Sequence, residues 1–134
     1  MNILLDTHVL IWCLYSDNKI PENILSMIND PDNKVFCSVI SIWEIALKNR
    51  KRPDVMKIEP DVFLDDCQKS GYMILSLHNN HVMEDTKLKK TDQTIDHKDP
   101  FDRMLLSQAL SEDMVFITHD PKMKAYDVPK MICF

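Results

Sequence analysis

The chain predicts an α/β fold with a parallel sheet covered by helices on both faces. Short apolar runs alternate with helix-like stretches along its whole length, the pattern of strands joined by helical crossovers. The runs are continuously apolar, as in strands buried on both sides. At 134 residues, with no internal repeat, low-complexity tract or Pro/Gly/Ser linker, residues 1–134 read as one domain.

Ile3-Leu4-Leu5 is an apolar run that stops at Asp6 and reads as a buried strand. Thr7 to Tyr15 is apolar on most sides and reads as a helix. Pro21 to Asn29 places Ile24, Met27 and Ile28 at helical spacing. Lys34 to Ser38 is a second strand, and Ser41 to about Arg50 a third helix. Pro60 to Ser70 is a fourth helix, closed by Gly71, the chain's one glycine. Tyr72 to Leu77 reads as a strand, and His78 to about Leu88 as a helix. The polar stretch Lys89 to Lys98 is a loop. Pro100 to Ser111 is a strong helix, Met114 to Thr118 a fourth strand, and Lys130 to Phe134 a short fifth.

Composition narrows the function. Hydrophobic residues make up 45% and charged residues 28%, a soluble balance. Asp6 and His8 interrupt the first apolar run and no basic segment precedes it, so it does not read as a signal peptide. No stretch reaches the roughly 20 apolar residues of a membrane span. Cys13, Cys37, Cys67 and Cys133 form no C-x-x-C pair and read as buried free thiols in a reducing cytoplasm. The net charge of −5 argues against a protein that coats nucleic acid. It does not argue against an enzyme that gathers acids around a cation, whose own charge then enters the balance.

In a parallel sheet, strands run toward one rim, helices start there, and ligands bind there. Asp6 ends the first strand and Asp120 lies two residues past the fourth. Glu44 falls early in the third helix, and Asp99 and Asp102 flank the start of the Pro100 helix. The topology therefore sends acids from four distant segments to one edge. Clustered carboxylates ionise together only when a cation neutralises them. Oxygen ligands of this kind favour Mg²⁺ or Mn²⁺ over zinc. Such ions activate water and stabilise both oxygens of a phosphodiester displacement.

Each acid also has a plain structural reading. Asp6 can cap the first helix. Ser41-Ile42-Trp43-Glu44 fits a capping box, and Glu44 pairs with Lys48 at i,i+4. Asp99-Pro100-Phe101-Asp102 is a good helix start, and Asp120-Pro121 can open a turn. Spacing alone leaves a nuclease as one option among several.

Three blocks resemble the PIN-domain ribonucleases, in particular the VapC-type toxins of bacterial toxin–antitoxin pairs. They are LLDTHVLIW (Leu4 to Trp12), SVISIWEIALKNRK (Ser38 to Lys51), and HKDPFDRMLLSQAL (His97 to Leu110) followed by VFITHD (Val115 to Asp120). They occur in the family's order and span nearly the whole chain. The resemblance implies a PIN-like three-layer α/β/α sandwich around a mainly five-stranded parallel sheet. It implies a Mg²⁺-dependent (or Mn²⁺-dependent) endoribonuclease with Asp6, Glu44, Asp102 and Asp120 as catalytic acids. Asp6, Asp102 and Asp120 would be the metal ligands, Asp99 a neighbouring cap, Thr118 a supporting hydroxyl and Arg103 a structural partner. It further implies an RNA substrate, a cognate antitoxin, a homodimer and a cytoplasmic setting with no membrane. The family often has glycine after the second block's helix and before the fourth strand. Here those places read Arg50-Lys51-Arg52-Pro53 and Ser111-Glu112-Asp113.

Other features read more plainly. His78-x-x-His81 lacks partners at zinc spacing and reads as surface or packing. His97 and His119 flank the acids without being needed as bases. Lys48, Arg50, Lys51 and Arg52, with Lys87, Lys89 and Lys90, read as solvated helix ends or as RNA steering. Trp12 and Trp43 read as core. Among rival functions, a receiver domain needs an acid where Leu77-His78 stands. A haloacid-dehalogenase-type phosphatase needs D-x-D where Asp6-Thr7-His8 stands. A housekeeping PIN nuclease without an antitoxin, and an inactive binding module, remain as alternatives.

Overall fold

Five short strands, β1 (Asn2–Leu5), β2 (Lys34–Ser38), β3 (Met73–Leu75), β4 (Val115–Thr118) and β5 (Met131–Cys133), form one sheet in a computed structural model that describes residues 1–134. Their order is β3-β2-β1-β4-β5 and every neighbouring pair is parallel. Parallel neighbours need crossovers: the 3-10 segment Pro121–Ala125 lies between β4 and β5, and six helices supply the others. These are α1 (Thr7–Tyr15), α2 (Glu22–Asn29), α3 (Val39–Lys51), α4 (Pro60–Lys69), α5 (Asn79–Lys87) and α6 (Pro100–Ser111).

The pleat of β1 divides the interior. Ile3 and Leu5 join Val9 and Leu10 of α1, Ile24 and Ile28 of α2, and Phe63 and Cys67 of α4 on one face. Leu4 points the other way, to Leu105, Leu106 and Ala109 of α6 and to Phe116. The expected three-layer α/β/α sandwich results, and it explains why β1 carries no polar residue between Asn2 and Asp6. Each of these fully buried aliphatic side chains contributes roughly 1.5–3 kcal/mol. No helix is long and apolar enough to cross a membrane.

Several boundaries differ from the sequence reading. Helix α3 starts at Val39, not Ser41, because Ser38 at the end of β2 is its cap and accepts from Ile40 N at 3.0 Å. The capping box expected from Ser41 and Glu44 is therefore absent, and Ser41 lies buried inside the helix. Strand β3 stops at Leu75, because its partner Ser38 is where β2 turns into α3. Trp43, expected in the core, is 55% exposed and meets Phe101 edge-on at 5.1 Å. All four cysteines are free; Cys37 and Cys67 are buried, while Cys13 and Cys133 are only partly so.

Gly71 follows α4 with φ +83, the left-handed position that glycine takes without strain. Asp113, where the family often has glycine, adopts φ 55 before β4. Aspartate tolerates that region better than most residues, and Lys130 pairs with its carboxylate at 2.9 Å. His81 is fully buried rather than metal-binding in design: its Nδ1 accepts from His78 N at 3.0 Å and its Nε2 meets Glu112 at 2.7 Å.

Ser38 Oγ also donates to the buried Gln108 Oε1 of α6, so one hydroxyl caps α3 and joins two layers. Ser38→Ala removes the cap and strands the amide oxygen. It is expected to lower unfolding free energy by about 2 kcal/mol in urea denaturation. A loss under about 0.5 kcal/mol, the usual range for surface changes, would contradict this role.

Candidate active site

At the carboxyl rim of the sheet lies an open cleft of about 390 Å³. Asp6, Glu44, Asp99, Asp102 and Asp120 line it, with Thr7, His8, Trp12, Lys48 and His119. The four acids singled out from the sequence therefore come together, with Asp99 beside them. Asp6 ends β1 and Asp120 follows β4, its neighbour in the sheet. Asp102 sits in the first turn of α6, and Glu44 in the second turn of α3. One ligand atom from each of His97, Asp102 and Asp120 falls within 4.8 Å of the others. Asp6 lies outside that tight group but on the same cleft.

Capping and convergence turn out to be one feature. Asp6 accepts from Thr7 N at 2.7 Å, Asp99 from Phe101 N at 2.8 Å, and Asp120 from Lys122 N at 3.0 Å, each at a helix or 3-10 start. Helices begin where parallel strands end, so a carboxylate used as a cap is delivered to the rim.

Hydroxyls hold the buried acids in place. Asp6, 5% exposed, also accepts from Thr118 Oγ1 at 2.6 Å. The same oxygen accepts from Asp120 N at 3.0 Å, so Thr118 links two acids. Thr7 Oγ1 lies 2.8 Å from Glu44 Oε1 and 2.9 Å from Ser41 Oγ. With one hydrogen, it donates to the carboxylate and accepts from Ser41. Lys48 Nζ meets the other oxygen, Glu44 Oε2, at 2.5 Å. The Glu44–Lys48 spacing was visible in the sequence; the Thr7–Ser41 relay had no signal there, since it joins two helices.

A second chain of contacts reaches Asp102. Arg103, a pure donor, gives hydrogens to Tyr126 Oη at 3.3 Å and to the Leu88 and Asp85 carbonyls at 2.9 and 3.1 Å. It also pairs with the Asp85 carboxylate at 3.3 Å. Tyr126 Oη lies 3.0 Å from His97 Nδ1, and His97 Nε2 lies 3.0 Å from Asp102 Oδ2. The order of donors assigns the tyrosine hydrogen to Nδ1 and the imidazole hydrogen to Nε2, aimed at Asp102. His97 thus orients Asp102. Tyr126 belongs to no motif, and nothing in the sequence marked it.

The acids burden one another. Burial pushes Asp102 up to about 8, and the charges of Asp6, Asp99, Glu44 and Asp120 add to the shift. Burial also raises Asp6, against the hydrogen bonds from Thr118 and Thr7, with the Glu44 charge adding to the rise. Burial lowers His97, which favours its neutral form. Lys48 is the one basic residue of the cleft lining apart from the two imidazoles. The donor set is therefore carboxylate-rich and short of positive charge, which fits a hard divalent cation.

Because the folded-state value of Asp102 lies above its ordinary value of 3.8, the folded chain holds a proton that the unfolded chain releases. Stability then falls as pH rises between 3.8 and about 8. Asp102→Asn carries no charge and escapes this loss. In chelator, the variant is expected to melt with wild type at pH 4 but roughly 5 °C higher at pH 9. Equal melting at pH 9 would remove the argument from charge crowding.

A search of curated protein sequences found no match. Over its full length the chain is similar to 98% of a chain in the VapBC2 structure from Rickettsia felis, solved bound to a DNA fragment from the promoter, at 18% identity and TM-score 0.70. It is also similar, over 97% of its length, to 95% of a chain in a toxin–antitoxin complex from Klebsiella pneumoniae, at 18% identity and TM-score 0.56. At these identities the likeness speaks to the fold. The PIN domain family model matches residues 3–129. With that match covering nearly the whole chain and the acids gathered at the rim, the chain belongs to the PIN domain family.

Proposed function

We propose that this chain is a Mg²⁺- or Mn²⁺-dependent endoribonuclease and the toxin of a toxin–antitoxin pair. One observation carries the reading: carboxylates from four separate segments crowd one open cleft, where burial first and their mutual charge second push Asp102 up to about 8. A fold gains nothing from such crowding, whereas cation and phosphate chemistry needs it. Similarity to chains solved in toxin–antitoxin complexes supports an antitoxin partner. Four free thiols support a reducing cytoplasm. A homodimer belongs to the same reading.

In this mechanism Asp6, Asp102 and Asp120 hold the cation, and Thr118 and His97 fix the carboxylates of Asp6 and Asp102. When bound, a hard divalent cation neutralises phosphate charge and acidifies water. Glu44, held by Thr7 on one oxygen and Lys48 on the other, orients the attacking water. Lys48, on the cleft wall and half-exposed, has the reach to meet a phosphate oxygen. Water adds to phosphorus, the bond to the leaving ribose oxygen breaks, and that oxygen takes up a proton.

The purified chain is expected to cleave RNA with Mg²⁺ or Mn²⁺ and not in chelator. Asp6→Asn and Asp102→Asn should each lower the rate by roughly a hundredfold or more, the scale for removing one group that stabilises transition-state charge. Wild-type rates in both variants would sink the carboxylate mechanism. Inhibition by the product of a small neighbouring reading frame distinguishes a toxin from a housekeeping nuclease.

Cation binding must expel the Asp102 proton. Mn²⁺ affinity, followed by electron paramagnetic resonance, is therefore expected to rise about tenfold per pH unit from pH 6 and level off above about 8. A flat profile would overturn the claim that a proton on Asp102 competes with the cation.

A further inference from the structure

Beside its acids, the cleft lining carries an aromatic wall made of His8, Trp12 and His119. The Trp12 ring lies 4.9 Å from His119 and 6.3 Å from His8, both edge-on. Phe134 backs the group, 6.3 Å from Trp12 and 5.0 Å from His119. His8 and Trp12, four residues apart on α1, share a helix face. Both imidazoles are exposed, and the indole is half-buried. Over the Trp12 ring sits the ammonium of the exposed Lys19, 5.7 Å from its centroid. Packing explains Phe134 and the inner edge of Trp12. It does not explain an indole and two imidazoles lining a cleft that is otherwise polar and mostly charged.

Resting on the nuclease reading above, the geometry points to a nucleobase site: His8, Trp12 and His119 stack and orient one unpaired base of single-stranded RNA beside the scissile phosphate. A base is neutral and offers a π-face, so the acid wall does not repel it. Imidazole nitrogens supply donors and acceptors to its edge. A paired base has both faces already stacked, so the wall selects unpaired nucleotides. Lys19 covers the indole with a flexible, solvated chain. A stacking base displaces it and leaves its ammonium free to meet the phosphate of a neighbouring nucleotide. These are positioning residues, since none touches the reacting atoms.

The test is a cycle on the full chain with Mg²⁺ and a short single-stranded RNA, intact or carrying one abasic nucleotide scanned across the cut. Trp12→Ala is expected to raise KM about tenfold or more with kcat nearly unchanged. Trp12→Tyr, which keeps a stacking face, should restore most of it. At one position beside the cut, the abasic substitution should raise KM for wild type by a similar factor and leave Trp12→Ala unaffected, because base and indole form one interaction. His119→Ala, an exposed change, gives the same coupling on a smaller scale even if Trp12→Ala folds poorly. Independent penalties in both variants overturn the base site while the nuclease stands. So does a variant that loses only inhibition by a protein partner, which assigns the wall to protein contact. A wild-type chain that cleaves no RNA overturns the nuclease reading and this inference together.

Discussion

The Asp6 carboxylate is the point on which the architecture and the cleft both depend. One oxygen caps α1 through Thr7 N, and the other takes the Thr118 hydroxyl at the end of β4. The central strand, the first helix and the adjacent strand are thereby fastened at one atom group. Thr118 passes the connection to Asp120, and Thr7 passes it to Glu44. Removing water from so charged a group is costly, and the two bonds only partly offset the rise that burial gives its proton affinity. The arrangement is stiff because every buried polar side chain in it has a partner.

Stiffness and strain coexist here. The apolar layers on either side of β1 hold the rim in place regardless of its charge. The rim can then keep carboxylates closer together than they would settle alone. Asp102 shows the strain most plainly, kept protonated near neutrality by burial and by four neighbouring acids. A cation bound there would relieve that repulsion and so link ligand and scaffold energetically.

Much of this was legible in the sequence, for a physical reason. Continuous apolar runs such as Ile3-Leu4-Leu5 and Val115 to Ile117 are what a doubly covered strand requires. Acids placed at the ends of such runs fall at the rim by topology alone, as Asp6 and Asp120 do. The cap of α3 was misplaced because Ser38 and Ser41 are both plausible caps, and only the strand's end decides between them. Trp43 reads as core because it lies in an apolar helix, yet that helix turns it outward, beside Phe101. The His97–Tyr126 contact and the aromatic wall were not legible: each joins residues far apart in sequence, and no local pattern encodes a side chain's partner.

Timing follows from the same connectivity. Asp6 and Thr118 are 112 positions apart, and β1 is flanked by β4, which is synthesised long after it. The N-terminal helices are made long before the central strand gains its second neighbour. Such non-local pairing completes late during folding. A ribosome-bound chain still short of β4 carries Asp6 and Glu44 but lacks Thr118 and Asp120. The carboxylate cluster is thus incoherent until β4 has emerged and paired with β1, so the cleft cannot work before its own sheet is built.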